Sequence, residues 1–487
     1  MEKLDNEPFV EEPGTIKEDE IKTQTFKKGL IIIIISAVLI VAALIIILIF
    51  FVFEKDDGNS NSDSTPDSDS SDFNYINAKY MIDFPTNETI IFHSSYLDSI
   101  RLLKIDGNNV TIENNKTFDN EGVHTIQIFF KNTLTSLDNL FFQINTLQEV
   151  DFTNLIHSEI KSASDLFNGC EMLINVTFNE HYEKITNISN LFAGCQSLQS
   201  INMNSFEKDT LIDISGLFSR CGSLENIILD KFNTKNVINM TNLFYECGYL
   251  EEINLTNFKT SNVKHMSNMF YGCFSLKSID VSSFDTSKVI NMNGMFDGCN
   301  EITSLSLKNF DTKNVVDMYF MFGDCYKLRS LDISSFKTDK LEDMFGMFKK
   351  CISLEEIDIS HFNTIKVKDM SDLFGNCTIL KKVNLKNLKT DNLEYVIGMF
   401  ENCISLTSLD FTYFNTQKVV DARYMLTDCT NLKIIDFSNF DSQKLDYYEG
   451  IFSGLTSEGI IKYNSSIFNE TILNLLPEDW TKEDINQ

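Results

Sequence analysis

The sequence predicts a repeat solenoid, a chain wound into stacked coils with a single transmembrane helix near its N-terminus. All eleven cysteines recur at a fixed spacing: nine of the ten intervals are 26 residues and the first is 25. A fixed period of about 20–50 residues is typical of solenoids, in which each repeat forms one turn. A second observation is an apolar pattern with the same period, and a third is an uncharged run over residues 30–53.

The apolar pattern places a parallel β-sheet on one face of the predicted solenoid. Residues 276–284 read L-x-x-I-x-V-x-x-F, which predicts a short strand around Ile279 and Val281 with these side chains inward. Strands of successive coils stack about 4.8 Å apart, so about thirteen coils would make a sheet roughly 60 Å long. The positions that recur from coil to coil are, after Cys273, Leu276, Ile279, Val281, Phe284, Thr286, Val289, Met292, Met295 and Phe296.

The second half of each coil changes its spacing. Val289, Met292 and Met295 lie three residues apart, which suits short helical or 3₁₀ turns, although a short strand over 289–292 is an alternative. The recurring threonine is expected to satisfy backbone groups at a turn. The alternative, a ligand-binding threonine array, would need an exposed ladder. These threonines are Thr234, Thr260, Thr286, Thr312, Thr338, Thr364, Thr390 and Thr416.

The repeat resembles a known family. The unit SFDTSKVINMNGMFDGCNEITSL, residues 283–305, resembles the BspA-like leucine-rich-repeat surface proteins in their 26-residue form. The resemblance covers about residues 118–455, and residues 460–480 look like the closing segment of that family. It implies a leucine-rich-repeat-like fold and a role in surface binding or adhesion. The N-terminal apolar run is a departure from the bacterial members.

The chain divides into six predicted regions. An uncharged run of 24 residues rises about 36 Å as a helix, enough to cross a hydrocarbon core of about 30 Å. More lysines precede the run than follow it, so the positive-inside rule places the N-terminus in the cytoplasm. The regions are a cytoplasmic tail (1–28), a transmembrane signal anchor (29–53), an acidic disordered stalk (54–72), a β-rich cap (73–117), the solenoid (118–454) and a C-terminal cap (455–487).

The cysteines themselves are predicted to pack inside the coil. Zinc needs four ligands that converge on one point, whereas one thiol per coil gives a line. Parallel Cβ vectors at about 4.8 Å also exceed the usual Cβ separation of a disulfide. We therefore favour a column of buried free thiols. The cysteines are Cys170, Cys195, Cys221, Cys247, Cys273, Cys299, Cys325, Cys351, Cys377, Cys403 and Cys429.

Candidate functional residues lie on the solvent side of the predicted strands. One position, seven residues after the cysteine, is often acidic and forms a candidate ligand face that could hold Ca²⁺ or a cationic ligand; the alternative is a hydrated acidic face. Acidic and basic residues nearby predict ion pairs between coils, each weak. The candidate residues are Asp280, Asp332, Asp358, Asp410 and Asp436. Possible glycosylation sites among ten N-x-[S/T] sequons include Asn87, Asn109, Asn187, Asn464 and Asn469.

These features predict a binding protein and not an enzyme. The net charge of −29 disfavours nucleic acid as a partner. The sequence has no H-E-x-x-H, G-x-S-x-G or dinucleotide motif, so no catalytic residue, metal or cofactor is expected. We expect a single-pass protein of the cell membrane whose extracellular repeats bind a protein or glycan on another cell or the matrix. The alternatives are a structural surface coat and, disfavoured by the repeats, a lumenal glycosyltransferase-like enzyme.

Overall fold

The computed structural model describes residues 74–486, except residues 86, 157, 181 and 457. These residues belong to one compact unit, Ser71–Gln487. The expected tail, transmembrane anchor and stalk lie outside the described residues. Among the residues that are described, no helix has the length and apolar character needed to cross a membrane.

The described chain begins with an antiparallel sheet that joins the solenoid. Alternate residues of the first strand are buried, which is why it can lie flat on a core. Asp106 and Gly107 both have positive φ and form a tight turn between two strands of this sheet. The strands are β1 (Tyr75–Ile82), β2 (Thr89–Ile90), β3 (Ile100–Ile105), β4 (Asn108–Val110), β5 (Asn115–Lys116), β6 (Gly122–Phe130), β7 (Leu147–Asp151) and β8 (Asn175–Thr177). The strand order in the sheet is β4-β3-β6-β1-β7-β8, in which β1 pairs with β7, the first strand of the coils.

The predicted short strands are present on one side of the coils. They pair in parallel at a register of one repeat, for example Leu305 opposite Leu331, and the central residue points inward. A 3₁₀ helix, Asn204–Phe206, lies between two of them, and another, Ser94–Ser99, connects β2 to β3 in the N-terminal region. The strands of this part are β9 (Ser200–Asn202), β10 (Asn226–Ile228), β11 (Ser304–Ser306), β12 (Ser330–Asp332), β13 (Glu356–Asp358), β14 (Lys382–Asn384), β15 (Ser408–Asp410) and β16 (Ile434–Phe437).

The strand side is not the continuous sheet that we expected. Strands pair in short groups, β9 with β10, β11 with β12 and β13 with β14, and residues 252–254 and 278–280 form no strand. The core remains packed through these coils, where the rings of Phe270 and Phe296 lie 5.6 Å apart.

The other side of the solenoid carries the more continuous ladder. Isolated parallel bridges recur once per coil at thirteen positions from Ser136 to Tyr447, which enclose about twelve turns of the solenoid. The bridge at Asn291 lies within residues 289–292, so the short-strand alternative fits better there than a helix. Two β-turns follow in each coil. In one coil they are closed by Met295 N–H to Met292 O and by Cys299 N–H to Phe296 O.

The core is built from columns of identical residues. The phenylalanines from Phe141 to Phe400 stack ring on ring, and Phe270 and Phe296 lie 5.6 Å apart with planes at 10°. Offset stacking of this kind stabilises a core beyond its buried area. The rows of leucine, methionine and valine around this column are fully buried. Each coil therefore covers the apolar surface of its neighbour, as a repeat protein requires.

The structure places the cysteines in that core as free thiols, and all eleven are buried. Each thiol donates to a phenylalanine carbonyl, as Cys299 Sγ does to Phe270 O at 3.3 Å. Burial raises the pKa of the Cys273 thiol to about 12, so it stays protonated. These cysteines are small packing residues with a weak hydrogen-bond donor, as the spacing predicted.

The recurring threonines are buried and join neighbouring coils. Thr286 Oγ1 donates to Asp311 O at 3.2 Å and accepts from Asp311 N–H at 2.8 Å. One hydroxyl therefore satisfies both backbone groups of a residue in the next coil, which confirms the structural role. The exposed threonine array is wrong because Thr286 has no accessible surface.

The C-terminal residues close the last coil. β17 (Glu458–Tyr463) continues the parallel pairing from β16, and β18 (Asp479–Asp484) pairs with β17. A short helix, α1 (Glu470–Leu473), lies between them, and Asn469 caps it. Trp480 is buried and donates its indole N–H to Thr456 O at 2.9 Å. Bulky side chains thus cover the apolar end that stacked coils would otherwise expose.

Candidate interaction surfaces

All five candidate aspartates close a local turn, and Asp332, Asp358 and Asp410 also end a strand. Asp280 Oδ1 accepts from Ser282 N–H at 2.9 Å, and Asp358 Oδ1 accepts from Ser360 N–H at 2.8 Å. The same bond occurs at Asp332, Asp410 and Asp436. This arrangement is an Asx turn, in which a short acidic side chain completes the hydrogen bonding of its own backbone. One oxygen of each carboxylate is therefore engaged in local structure.

The structure brings few of these carboxylates together. Asp410 lies opposite Asp436 in the register, but Asp358 faces Asn384 and accepts from its amide at 2.9 Å. Hydrogen bonds from Ser282 lower the pKa of Asp280 below its usual range. No group of three or more metal-binding side chains occurs in the described part of the chain. The arrangement favours a hydrated acidic face over a row of cation sites.

Ion pairs between coils are present on this strand side, as the charge pattern predicted. Lys381 Nζ lies 2.8 Å from Glu355 Oε2, and Lys277 pairs with Glu251. These side chains are exposed and screened by solvent, so each pair contributes little to stability. Their main effect is to neutralise acidic charge along the strand side.

The opposite surface has a different charge balance. We define the turn face as the bridge and the two β-turns of every coil, eight residues per coil from 136–143 to 447–454. It carries fourteen acidic and four basic residues, a net −10, which is half of the net −20 of residues 73–487. The acidic residues are Asp138, Asp165, Asp213, Glu246, Asp297, Asp317, Asp324, Asp343, Asp369, Asp372, Glu401, Asp421, Asp428 and Glu449.

Several carboxylates of the turn face are held away from water. Burial and the carboxylate of Asp324 raise the pKa of Asp297 to about 7, although Lys350 opposes the shift. Burial also raises the pKa of Asp317 and of Asp369, and Asp343 adds to both shifts. A raised pKa means that the ionised form is poorly solvated or repelled. The turn face is therefore an under-neutralised acidic surface.

Three basic residues of the turn face lie over aromatic rings and form ion pairs with carboxylates. The Arg220 guanidinium lies 5.7 Å from the ring centre of Tyr245 and pairs with Glu246 at 3.1 Å. Lys349 lies over Phe320 at 5.8 Å and pairs with Asp372 at 2.8 Å. A cation held in this way gains from both the ring quadrupole and the carboxylate.

A third base repeats the arrangement. The Arg423 guanidinium lies 5.4 Å from the ring centre of Tyr447 and pairs with Asp421 at 2.7 Å. The fourth base, Lys350, pairs with Asp324 at 3.2 Å. Sequence reasoning missed this surface, because the aromatic and acidic residues fall at different positions of successive coils. Summing charge over the eight residues before each cysteine would have found it.

The predicted glycosylation sites lie in different surroundings. Asn87 and Asn109 are exposed in the N-terminal region, and Asn469 is exposed at the start of α1. Asn187 is half-buried in the bridge ladder and accepts from Ser189 N–H at 2.9 Å. Asn464 is half-buried and accepts from Ser466 N–H at 2.9 Å. Glycosylation at all five positions remains a prediction.

Stacked coils with two long polar surfaces define a leucine-rich-repeat-like protein. The chain belongs to the family described as "Mycoplasma protein of unknown function, DUF285", which matches it over residues 135–463 in five overlapping segments. Residues 69–188 match the family described as "BspA type Leucine rich repeat region (6 copies)", which confirms the predicted resemblance. Such repeat families are typically binding or scaffold proteins, and no enzymatic domain is indicated. The five segments are 135–252, 186–304, 238–356, 266–381 and 342–463.

Solved structures show similarity at low identity. A leucine-rich repeat protein from Bacteroides ovatus is 18% identical with a TM-score of 0.43, and the alignment covers 77% of this chain and 90% of that chain. A leucine rich cell surface protein from Faecalibacterium prausnitzii is 16% identical with a TM-score of 0.33, covering 70% of this chain and 79% of that chain. No curated protein matches the sequence.

Proposed function

We propose that this chain is a single-pass membrane protein that presents its solenoid at the cell surface to bind another protein. The observation that carries the proposal is the long turn face, which offers aromatic rings and under-neutralised carboxylates over thirteen bridge positions. Solenoids give extended surfaces of this kind to their partners. The family matches support a role in protein interaction.

The membrane part of the proposal rests on the sequence. An uncharged run over residues 30–53 follows an N-terminal tail with five lysines, four of them within fifteen residues of the run. On intact cells that express the full chain, a membrane-impermeant biotin reagent should label peptides from residues 74–486. Peptides from residues 1–28 should be labelled only after the cells are permeabilised. Labelling of residues 1–28 on intact cells would reverse the orientation.

Adhesion is tested with the same cells. We expect them to retain other cells or matrix proteins more strongly than cells that display an unrelated repeat protein of equal net charge on residues 1–72. The matched charge separates specific contacts from general electrostatic attraction. Equal retention by both cell lines would contradict the proposal. Strong lateral association of the chain without retention of other cells would favour a structural coat instead.

A further inference from the structure

The aromatic stack of the turn face ends beside a carboxylate that lacks an ion-pair partner. Tyr245 and Tyr271 stack at 4.8 Å with planes at 8°, and Arg220 lies over Tyr245. The equivalent position of the next coil is Asp297. Within the described part of the chain, Asp297 has no ion pair and Tyr271 has no cation over its ring. The stack therefore has an aromatic ring and a carboxylate at its end, but no cation.

Exposed aromatic side chains surround this position. Phe274 is 51% exposed and its ring lies against Gly298, close enough to contact a Cβ there at 3.4 Å. Tyr319 is 43% exposed and stacks on Phe345 at 5.3 Å. Aromatic residues in such numbers are typical of binding surfaces, where they supply contact area at a low entropic cost.

The chain's own cations indicate what this surface accepts. Arg220, Lys349 and Arg423 each lie over a ring on the turn face and each pair with a carboxylate. Burial and the nearby Asp297 carboxylate raise the pKa of Tyr271, so this ring and this carboxylate lie close together, without a base. The net −10 of the face would also attract a basic segment over several coils and repel an acidic one. Charge complementarity thus favours a basic partner.

We propose that the turn face around Tyr271 and Asp297 is the docking surface for a basic segment of a partner protein. An arginine or lysine of that segment lies over the Tyr271 ring beside the Asp297 carboxylate. The proposal rests on the proposed function, since it names the surface and the partner chemistry for protein binding. The proposed binding surface is therefore the turn face and not the strand side, which the sequence favoured.

The test measures binding of a labelled octa-arginine peptide to the full-length chain in phosphatidylcholine nanodiscs by fluorescence anisotropy. We expect binding of octa-arginine and none of octa-glutamate. Tyr271→Leu, which leaves the charge unchanged, should raise the Kd about three- to tenfold, a size between that of an exposed and that of a desolvated cation–π contact. Asp297→Asn should weaken binding by a similar factor, and Tyr271→Phe should restore it.

Matched variants on other surfaces separate this site from general attraction to an acidic protein. Asp332→Asn removes the same charge from the strand face, and Tyr413→Leu removes a tyrosine that is 46% exposed. Both should leave the Kd within twofold. Thermal melts confirm that every variant is folded. Equal weakening by Asp332→Asn and Asp297→Asn, or an unchanged Kd for Tyr271→Leu, would overturn the proposal.

The remaining outcomes are also decisive. If the wild-type chain self-associates in sedimentation and Tyr271→Leu abolishes this, the surface binds a second copy and the proposed partner is wrong. If octa-arginine binding is insensitive to Tyr271 while cells still show specific adhesion, the docking surface is wrong but the proposed function stands.

Discussion

Asp297 shows how a single residue couples the charge of the turn face to stability. Burial and the carboxylate of Asp324 raise its pKa from an ordinary value of 3.8 to about 7. Between about pH 4 and 7 the folded chain holds a proton that the unfolded chain has lost. The free energy of unfolding therefore falls as pH rises through this window and is level above it. Urea unfolding at pH 5 and pH 8 measures the difference.

Asp297→Asn should remove the contribution of this carboxyl to the pH dependence of the unfolding free energy. It should also stabilise the chain at pH 8 by about 1–4 kcal/mol. Asp332→Asn is the control, because hydrogen bonds from Ser334 lower the pKa of Asp332 and place its effect below about pH 4. The control should keep the wild-type difference between pH 5 and pH 8. An unchanged difference in Asp297→Asn would show that this carboxyl titrates normally.

The threonine column gives a second prediction at the residue scale. Thr286→Val keeps the shape but leaves the N–H and C=O of Asp311 without the partner that Thr286 Oγ1 supplies. Each buried unsatisfied group costs about 1–3 kcal/mol, so urea unfolding should show a loss of this order. Thr286→Ser keeps the hydroxyl, as Ser442 does at the equivalent position of a later coil. Equal losses for valine and serine would contradict the hydrogen-bonding role.

At the scale of the element, the backbone conformation of the paired β-turns restricts which residues can stand in the turns that follow the bridge. Gly294 has a φ of +54° and its Cβ would lie 2.2 Å from Asn268 Oδ1. Gly294→Ala should therefore cost about 1–3 kcal/mol in urea unfolding, from both the left-handed backbone and the collision. Gly222→Ala is the matched control, since a Cβ there meets nothing within 4 Å. A Gly294→Ala variant as stable as Gly222→Ala would contradict the turn geometry.

The conformation of the turns could be predicted from the sequence only in part. The period of three at Val289, Met292 and Met295 correctly placed these residues inside, but it could not separate helix from turn. The deciding signal is the glycine, asparagine or aspartate that often stands at the third position of each turn, such as Gly294 and Gly298. The breaks in the sheet were not predictable, because residues 252–254 and 278–280 carry the same apolar pattern as the coils that form strands.

The candidate site was predictable only in part for a similar reason. The D-x-[S/T] pattern at Asp332 and Asp410 follows from an Asx turn and needs no ligand. Local sequence could therefore have assigned the structural role. Tyr271 and Asp297 are 26 positions apart in the sequence, and their proximity can be recognised only when both are known to lie on one face.

At the scale of the whole molecule, the two surfaces should respond to salt in opposite directions. Ion pairs such as Lys381 with Glu355 on the strand side weaken in salt, whereas the net −10 of the turn face repels itself less. Because exposed pairs contribute little, the relief of repulsion should dominate. Stability to urea should rise by about 1–2 kcal/mol between about 0.05 and 0.5 M sodium chloride.

Replacing Asp317 and Asp369 by asparagine should reduce this rise, whereas the same replacement of Asp332 and Asp358 should not. A fall in stability with salt, or equal effects of the two double variants, would show that repulsion among the carboxylates of the turn face does not destabilise the chain.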